Sequence, residues 1–277
     1  MNRRSLKQSR QQLHAQKPLD KSRHHIIGTG RWGTWLARRL HATGFELGSV
    51  RNRTVSSAER LAAELDVEWK STRLSESGFH AKDIIWCCVP DAEIVKIRSQ
   101  LNELNQALQI VHCSGTSPLL KGDTTGVFWP VQSITAQTEP DWSNLPIVVQ
   151  ASTPAFAKTL LEIAKKVSEL PPKLVSSDEN RMRLHLGAVM TQNFTNLLWT
   201  LTQKVFKDAD LDYKDLLPLA KNHLEKLVGQ TPDHLQTGPA SRGDENTIKA
   251  HLALLDAHPQ AKETYLLLSE HIAKKEH

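Results

Sequence analysis

Short apolar runs alternate with helix-periodic stretches up to about residue 153, and helical periods alone follow. The runs His24–Ile27, Phe45–Val50, Ala81–Asp91, Leu108–Gly115, Val127–Val131 and Pro146–Gln150 predict strands. Between them, Thr34–Leu40 reads as a helix ending near Gly44, and Ser57–Leu65 and Ala92–Leu104 as two more. Strands alternating with helices imply a doubly wound α/β sheet. Further on, Pro154–Val167 and Glu179–Phe206 each read as one helix, Thr237–Thr247 as a shaped loop leading into a helix, and Ala261–Lys275 as a final amphipathic helix.

At 277 residues the chain has room for two domains, taking roughly 150 residues for each. The division expected is a basic tail over residues 1–23, an α/β domain over 24–175 and an all-α domain over 176–277. The formal charge of +5 raises the question of a nucleic-acid or membrane partner. Its distribution answers it: residues 1–25 hold seven Lys or Arg against Asp20, so the remainder carries −1. The leading segment reads as a disordered tail, an organellar transit peptide or a nucleic-acid arm, and the last lacks aromatics for stacking. It has no apolar h-region, so no secretory signal is expected. No apolar run approaches the ~18–20 residues of a membrane span. Three cysteines make no disulfide framework. Cys87 and Cys88 read as small buried residues, which suits a reducing compartment and points to the cytoplasm. No metal site is expected.

The strongest chemical signal follows the first strand. Gly28-Thr29-Gly30-Arg31-Trp32-Gly33 is a G-x-G-x-x-G loop between a strand and a helix, with a second strand after it. That is the context of a Rossmann dinucleotide site. Gly28 permits the tight turn, Gly30 lets backbone approach a pyrophosphate, and Gly33 allows close helix–strand packing. The second strand ends in Arg51-Asn52-Arg53-Thr54 with no acid between Glu46 and Glu59. A ribose 2′-hydroxyl would call for an acid there, whereas a guanidinium fork matches a 2′-phosphate. NADPH is therefore expected in preference to NADH, with Arg51 and Arg53 as the candidate guanidinium groups at the phosphate and Asn52 and Thr54 beside them. The competing reading makes these arginines solvated loop residues. Val89, Pro90, His112 and Ser114 fall at strand carboxyl ends, where such sheets bind ligands.

In the helical half, His185, Gln192 and Asn196 fall within about 40° of one another on an ideal helix, with Asn193 beside them. A polar stripe in an apolar helix needs a partner or a cavity, and an interhelical hydrogen-bond network would also serve. In Gly238-Pro239-Ala240-Ser241-Arg242-Gly243-Asp244, Asp244 is placed to cap the following helix.

Together these residues resemble oxidoreductases with a Rossmann-like N-terminal domain and a C-terminal domain of unknown function 2520. The wider relatives are 6-phosphogluconate-dehydrogenase-like reductases, including pyrroline-5-carboxylate reductases. The resemblance spans about residues 24–270. It rests on the glycine loop, Val89-Pro90-Asp91, His112-Cys113-Ser114-Gly115, His185 with Asn193-Phe194, and most specifically Gly238–Asp244 with Thr247, His251 and Tyr265. One departure is visible: Trp129-Pro130 stands where the family often has His-Pro. The resemblance implies an NADP-linked oxidoreductase, dimeric through its helical domain, and fixes no substrate. Some related chains look like alternative ketopantoate reductases, which makes a 2-oxo acid one candidate.

The expectation is an NADPH-dependent reductase of a small carbonyl or imine compound. His112 and His185 are candidates for proton donor, since imidazole titrates near neutrality. Ser114 and Asn193 would hydrogen-bond the substrate, Arg242 would clamp a carboxylate, and Asp244 would orient its neighbours. The alternative is a regulatory protein that binds NADP without turnover.

Overall fold

The computed structural model describes residues 22–70, 74, 78–104, 107–134, 137–207 and 209–274. The expected tail therefore lies outside the described residues apart from Ser22 and Arg23. Ser22 is buried, and Arg23 bonds Asp83 at 3.0 Å. The chain forms two compact units, one ending at Leu186 and one beginning at Gly187.

In the first unit, β1 (His24–Ile27), β2 (Leu47–Arg51), β3 (Glu68–Lys70), β4 (Ile84–Cys87), β5 (Gln109–His112), β6 (Thr125–Pro130), β7 (Ile147–Ala151) and β8 (Lys173–Leu174) form one sheet. Its order is β3-β2-β1-β4-β5-β6-β7-β8. Neighbouring strands are parallel except β6 and β7, which pair antiparallel from Gly126↔Ala151 to Pro130↔Ile147. A chain that returns directly from the carboxyl end of β6, with no crossover to the opposite edge, can pair only antiparallel. Residues 113–124, which join β5 to β6, form an irregular crossover without a helix.

The helices α1 (Arg31–Ala42), α2 (Val55–Leu65), α3 (Asp91–Leu104) and α4 (Pro154–Val167) cover the sheet. Helix α1 buries Gly33, Leu36, Ala37 and Leu40, and α2 buries Ala58, Leu61, Ala62 and Leu65. Both sets follow the i, i+3, i+4, i+7 spacing of a single helical face. Thr153 caps α4 by accepting the Phe156 amide, with Pro154 in the first turn. On β4, Trp86 joins the core on one face while Ile85 and Cys87 join that on the other, so this strand is apolar on both faces.

At the amino ends of these strands a buried polar knot replaces apolar packing. Asp83 Oδ2 accepts from Arg23 at 3.0 Å and from the His80 amide at 2.8 Å, and it bonds His25 Nε2 at 2.9 Å. The other ring nitrogen, Nδ1, bonds Ser49 Oγ at 2.8 Å. Burial pushes His25 down to about 4, against the pull of Asp83.

The predicted single helix over Glu179–Phe206 is instead three stretches: α5 (Asp178–Ala188), a π-helical turn over Val189–Phe194, and α6 (Thr195–Phe206). Thr191 and Thr195 turn their hydroxyls back onto the carbonyls of Gly187 and Thr191, at 2.8 Å each, which competes with regular helix bonding. The wider π turn removes the ideal-helix angles on which the stripe of His185, Gln192 and Asn196 rested, and Gln192 and Asn196 are exposed.

The second unit continues with α7 (Leu217–Lys226), α8 (Pro232–Leu235), α9 (Pro239–Arg242), α10 (Glu245–Leu254) and α11 (Pro259–Ala273). Its buried apolar centre is small: Leu201, Leu255 and Ala261, with Val205 and Tyr265 packed against them. Among the described residues no helix is long and apolar enough to cross a membrane.

Candidate functional site

The glycine loop joins β1 to α1. Gly28 has φ +101°, and a Cβ there would lie 2.3 Å from the Cys88 carbonyl oxygen. A Cβ at Gly33 would lie 1.9 Å from the Gly28 carbonyl oxygen, so α1 can approach the loop only without a side chain. Gly30 is the opposite case: nothing lies within 4 Å of its Cβ position. The space above it is open, and no side chain caps the first amides of α1. Such a helix start favours an anion. Thr29 Oγ1 and Trp32 Nε1 are buried without a hydrogen-bond partner among the described residues. An orphaned hydroxyl beside an uncapped helix start fits a pyrophosphate acceptor. Arg31 is exposed at the same rim.

The neighbouring strand ends complete this edge. Gly28 N donates to the Arg51 carbonyl at 2.8 Å, and Thr29 N donates to Asn52 Oδ1 at 3.3 Å. Asn52 in turn donates to the Thr54 carbonyl at 3.2 Å. Arg53 and Thr54 are exposed. Arg51 is not: it is fully buried, with its guanidinium 4.6 Å from the Phe79 ring centroid. Its suggested role at a 2′-phosphate is therefore corrected to packing, which leaves Arg53 as the available guanidinium. Val89 lies against the loop, its Cγ1 3.0 Å from the Gly28 Cβ position, and the exposed Pro90 precedes α3.

His112 and Ser114 come together after β5, in a closed network. Ser114 N donates to His112 Nδ1 at 3.2 Å, which leaves Nε2 to carry the proton and donate to the Pro118 carbonyl at 3.2 Å. Burial, with the nearby Arg181 charge, pushes His112 down to about 4. A fully buried neutral imidazole, its N–H given to a carbonyl and its other nitrogen accepting an amide, is not a proton donor for catalysis near neutrality. Ser114 Oγ donates to Asp91 Oδ2 at 2.7 Å and accepts the Thr116 and Ser117 amides at 3.1 and 2.9 Å. Its hydroxyl is thus committed within the chain. Thr116 Oγ1 adds a second donor to Asp91 at 2.7 Å. Burial opposes ionisation of Asp91, but the hydroxyls of Ser114, Thr116 and Ser117 outweigh it and hold the carboxyl below its usual range.

Arg181 on α5 braces the same loop. It is fully buried, donates to the Gly115 carbonyl at 3.2 Å, and bonds Gln150 Oε1 and the Ser117 carbonyl. Asp178 pairs with it at 3.2 Å and accepts the Leu119 amide at 3.0 Å. One turn on, His185 is half-buried, its ring 5.5 Å from that of Trp129. A Cβ at Gly115 would lie 2.8 Å from both rings. Among the described residues the His185 ring makes no hydrogen bond.

Asn193, Arg242 and Asp244 belong to the second unit. Asn193 is exposed in the π-helical turn, and Arg242 is exposed at the end of α9. Gly238 and Gly243 flank α9 at φ +111° and +70°, where other residues would be strained. Asp244 caps α10, accepting the Thr247 amide at 3.0 Å and the Thr247 hydroxyl at 2.7 Å. These bonds hold its carboxyl below the usual range.

Two residues of this site had no role in the sequence reading: Asp91 and Arg181. Asp91 stood in the quoted Val-Pro-Asp motif, and only its place after a strand end hinted at a role. Arg181 carried one faint signal, a position one helical turn before His185. Among the described residues no cluster of His, Cys, Asp or Glu could hold a metal ion.

Residues 145–272 match the model of the domain of unknown function 2520, and residues 10–112 match that of shikimate/quinate 5-dehydrogenases. Comparison with curated proteins returns no match. Among solved structures, a Bacteroides fragilis protein provisionally named an NADP oxidoreductase shares 31% identity. It covers 92% of this chain and 98% of its own, with a TM-score of 0.77. A reductive aminase from Aspergillus terreus, solved with NADPH and ethyl-5-oxohexanoate, shares 15% identity over 91% of this chain and 93% of its own, with a TM-score of 0.64. A pyrroline-5-carboxylate reductase from Coxiella burnetii shares 12% identity over 92% and 100%, with a TM-score of 0.54. The last two similarities concern the fold. The chain belongs to the family of Rossmann-fold oxidoreductase-like proteins that carry the domain of unknown function 2520.

Proposed function

We propose that this protein is an NADPH-dependent reductase of a small carbonyl or imine compound, a 2-oxo acid such as ketopantoate being one candidate. The observation that carries the reading is the glycine loop: an uncapped helix start, open space over Gly30 and the orphaned Thr29 hydroxyl. Gly28, Thr29, Gly30, Arg31, Trp32 and Gly33 would hold the pyrophosphate, with Val89 and Pro90 beside it. Asn52, Arg53 and Thr54 would hold the 2′-phosphate and set the preference over NADH. When bound, the reduced nicotinamide would supply a hydride, one proton with two electrons, to the substrate.

The chain must supply the proton and the orientation. Of the two histidines, we assign the proton to His185. His112 is sealed in, whereas His185 is half-buried with an uncommitted ring. His112 and Ser114 act as positioning residues, fixing residues 112–119 with Asp91 and Arg181. Asn193 is assigned to the substrate carbonyl or imine, Arg242 to a substrate carboxylate, and Asp244 to holding the Arg242 loop in shape. Residues 24–175 would form the cofactor domain and 176–277 the substrate and dimer domain. Three free cysteines suit the cytoplasm.

The helical unit supports a homodimer. Met190 and Phe194 are each 55% exposed, Leu219 is 68% exposed and Leu254 74%. Ordering a residue costs about 1–2 kcal/mol of backbone entropy, while a buried Leu returns about 2 kcal/mol. Among the described residues of this unit only Leu201, Ala240, Leu255 and Ala261 are buried apolar side chains, too few for such a unit, and a second copy would cover the rest.

The reading is tested by nicotinamide fluorescence and a substrate screen. NADPH should bind more tightly than NADH, and His185→Ala should abolish turnover of a 2-oxo acid or cyclic imine while leaving NADPH binding intact. Failure to bind either dinucleotide defeats the reading. One observation favours a regulator without turnover: Trp129 fills the place beside His185 where the family often has a histidine. Tight NADPH binding with no turnover across the screen would favour that alternative.

A further inference from the structure

Cys88 and Cys113 follow β4 and β5. Cys87 pairs with His112 in the β4–β5 ladder, so the next residue on each strand stands beside the other. Their sulfurs are 3.8 Å apart and hydrogen-bonded. Both side chains pack on the α1 face of the sheet and are only half-buried, unlike Cys87, which is buried on the opposite face. Adjacent strands lie about 4.8 Å apart, inside the ~4.4–6.8 Å Cα range of disulfides. The pair also touches the glycine loop. A Cβ at Gly33 would lie 2.9 Å from Cys88 Cβ, and one at Gly28 would lie 2.3 Å from the Cys88 carbonyl oxygen. Movement of Cys88 therefore reaches the start of α1 directly.

We infer that Cys88 and Cys113 are an oxidation site that a low-molecular-weight disulfide closes into an intramolecular disulfide, and that closure weakens dinucleotide binding at the glycine loop. One cysteine thiolate attacks oxidised glutathione, forming a mixed disulfide and releasing one glutathione thiolate. The second cysteine thiolate attacks the protein sulfur of that mixed disulfide and displaces the other glutathione thiolate. Two protein thiols lose two electrons and two protons, and one oxidised glutathione becomes two reduced glutathiones. The hydrogen bond to Cys113, together with burial, holds the Cys88 thiol well above its ordinary range. The resting state is therefore a dithiol, and closure accelerates as pH rises. The effect on binding rests on the dinucleotide reading, whereas closure itself does not.

The test incubates the full chain with oxidised glutathione, then alkylates it under denaturing conditions and maps the tryptic peptides. Free thiols should fall from three to one. The peptide over residues 83–96 should be joined to that over 99–121, with Cys87→Ser keeping the link and Cys88→Ser losing it. NADPH affinity should fall about tenfold on closure and return with dithiothreitol. Three thiols remaining alkylatable, glutathione adducts without a cross-link, or a cross-linked protein with unchanged NADPH affinity would each overturn the inference. If the reduced protein binds no dinucleotide, it is the proposed function that fails, because the cross-link is read by mass alone.

Discussion

Arg181 donates from Nε to the carbonyl oxygen of Gly115 at 3.2 Å, joining residues 66 positions apart. The same guanidinium reaches the Ser117 carbonyl, Gln150 and Asp178, and none of the side chain meets solvent. Removing it leaves two carbonyls, an amide oxygen and a carboxylate short of a donor. Arg181→Ala should cost about 3–5 kcal/mol, the range for breaking a buried ionic cluster. Arg181→Lys should recover only part, since three N–H donors on one atom cannot reach the four acceptors spread around the guanidinium fork. Urea midpoints measure both, and a loss under about 1 kcal/mol for the alanine variant would show that the loop holds without the clamp.

What was legible in the sequence was local. Gly28 to Gly33 could be placed because a turn, an open approach and a close contact follow one another within six residues. Leu36, Ala37 and Leu40 could be placed because a helical face repeats every 3.6 residues. Strand direction has no such signature, so the antiparallel pairing of Val127 with Gln150 was not readable. The two strands Glu68–Lys70 and Lys173–Leu174 were missed because they are short, largely exposed and lack alternation. Asp91 and Arg181 take their meaning from partners 23 and 66 residues away, which no window along the chain connects. His112 was readable as a strand-end histidine but not as a buried one, because both its partners lie in an irregular crossover.

Stability should fall as pH drops from about 6.5 to 4. In the folded chain His25 and His112 bind a proton only near pH 4, while in the unfolded chain they do so near 6.5. Between those values the unfolded state holds more protons, so acid favours unfolding. At 1.36 kcal/mol per pH unit, each imidazole withdraws about 3 kcal/mol across the window. Asp83 and Asp91, both held below the usual carboxylate range, extend the loss below pH 4. Urea midpoints at several pH values check this, and His112→Asn should flatten the slope. A midpoint unchanged between pH 7 and pH 5 would contradict the buried neutral state of both rings.

The two arginines at the end of β2 should separate in their effects. Arg53 is exposed, so Arg53→Ala should leave the fold intact and weaken NADPH, but not NADH, about tenfold, the worth of one charged hydrogen bond. Arg51 lies buried over Phe79, so Arg51→Ala should lower the urea midpoint. Parallel fluorescence titrations and denaturation curves read both. An unchanged NADPH-to-NADH ratio in Arg53→Ala would remove that residue from the 2′-phosphate.

Sedimentation should give about twice the 31.1 kDa chain mass at micromolar concentration. Phe194→Glu with Leu198→Glu places two charges on side chains 55% and 40% exposed in the single chain. Those positions tolerate charge in a monomer but not in an apolar interface. The double variant should therefore sediment as a monomer with an unfolding midpoint below that of the parent. A parent chain that sediments at 31.1 kDa would leave the apolar helical surface without the proposed partner.

Gly115→Ala tests the placement of His185. The added methyl would stand 2.8 Å from His185 Cδ2 and from Trp129 Cε2, closer than side chains tolerate. Trp129 is held on β6 among its apolar neighbours at 8% exposure, while His185 is half-buried on α5 and has more freedom to turn. The imidazole should therefore be the group displaced. If it delivers the proton, kcat should fall at least tenfold while NADPH affinity, set at the glycine loop, stays unchanged, because a displacement of about 1 Å at a reacting group costs about that much or more. Equal loss of NADPH binding would instead indicate that the crossover after β5 and the glycine loop move together. Unchanged kcat in a folded variant would free His185 from the chemistry and turn attention to Asn193 and Arg242.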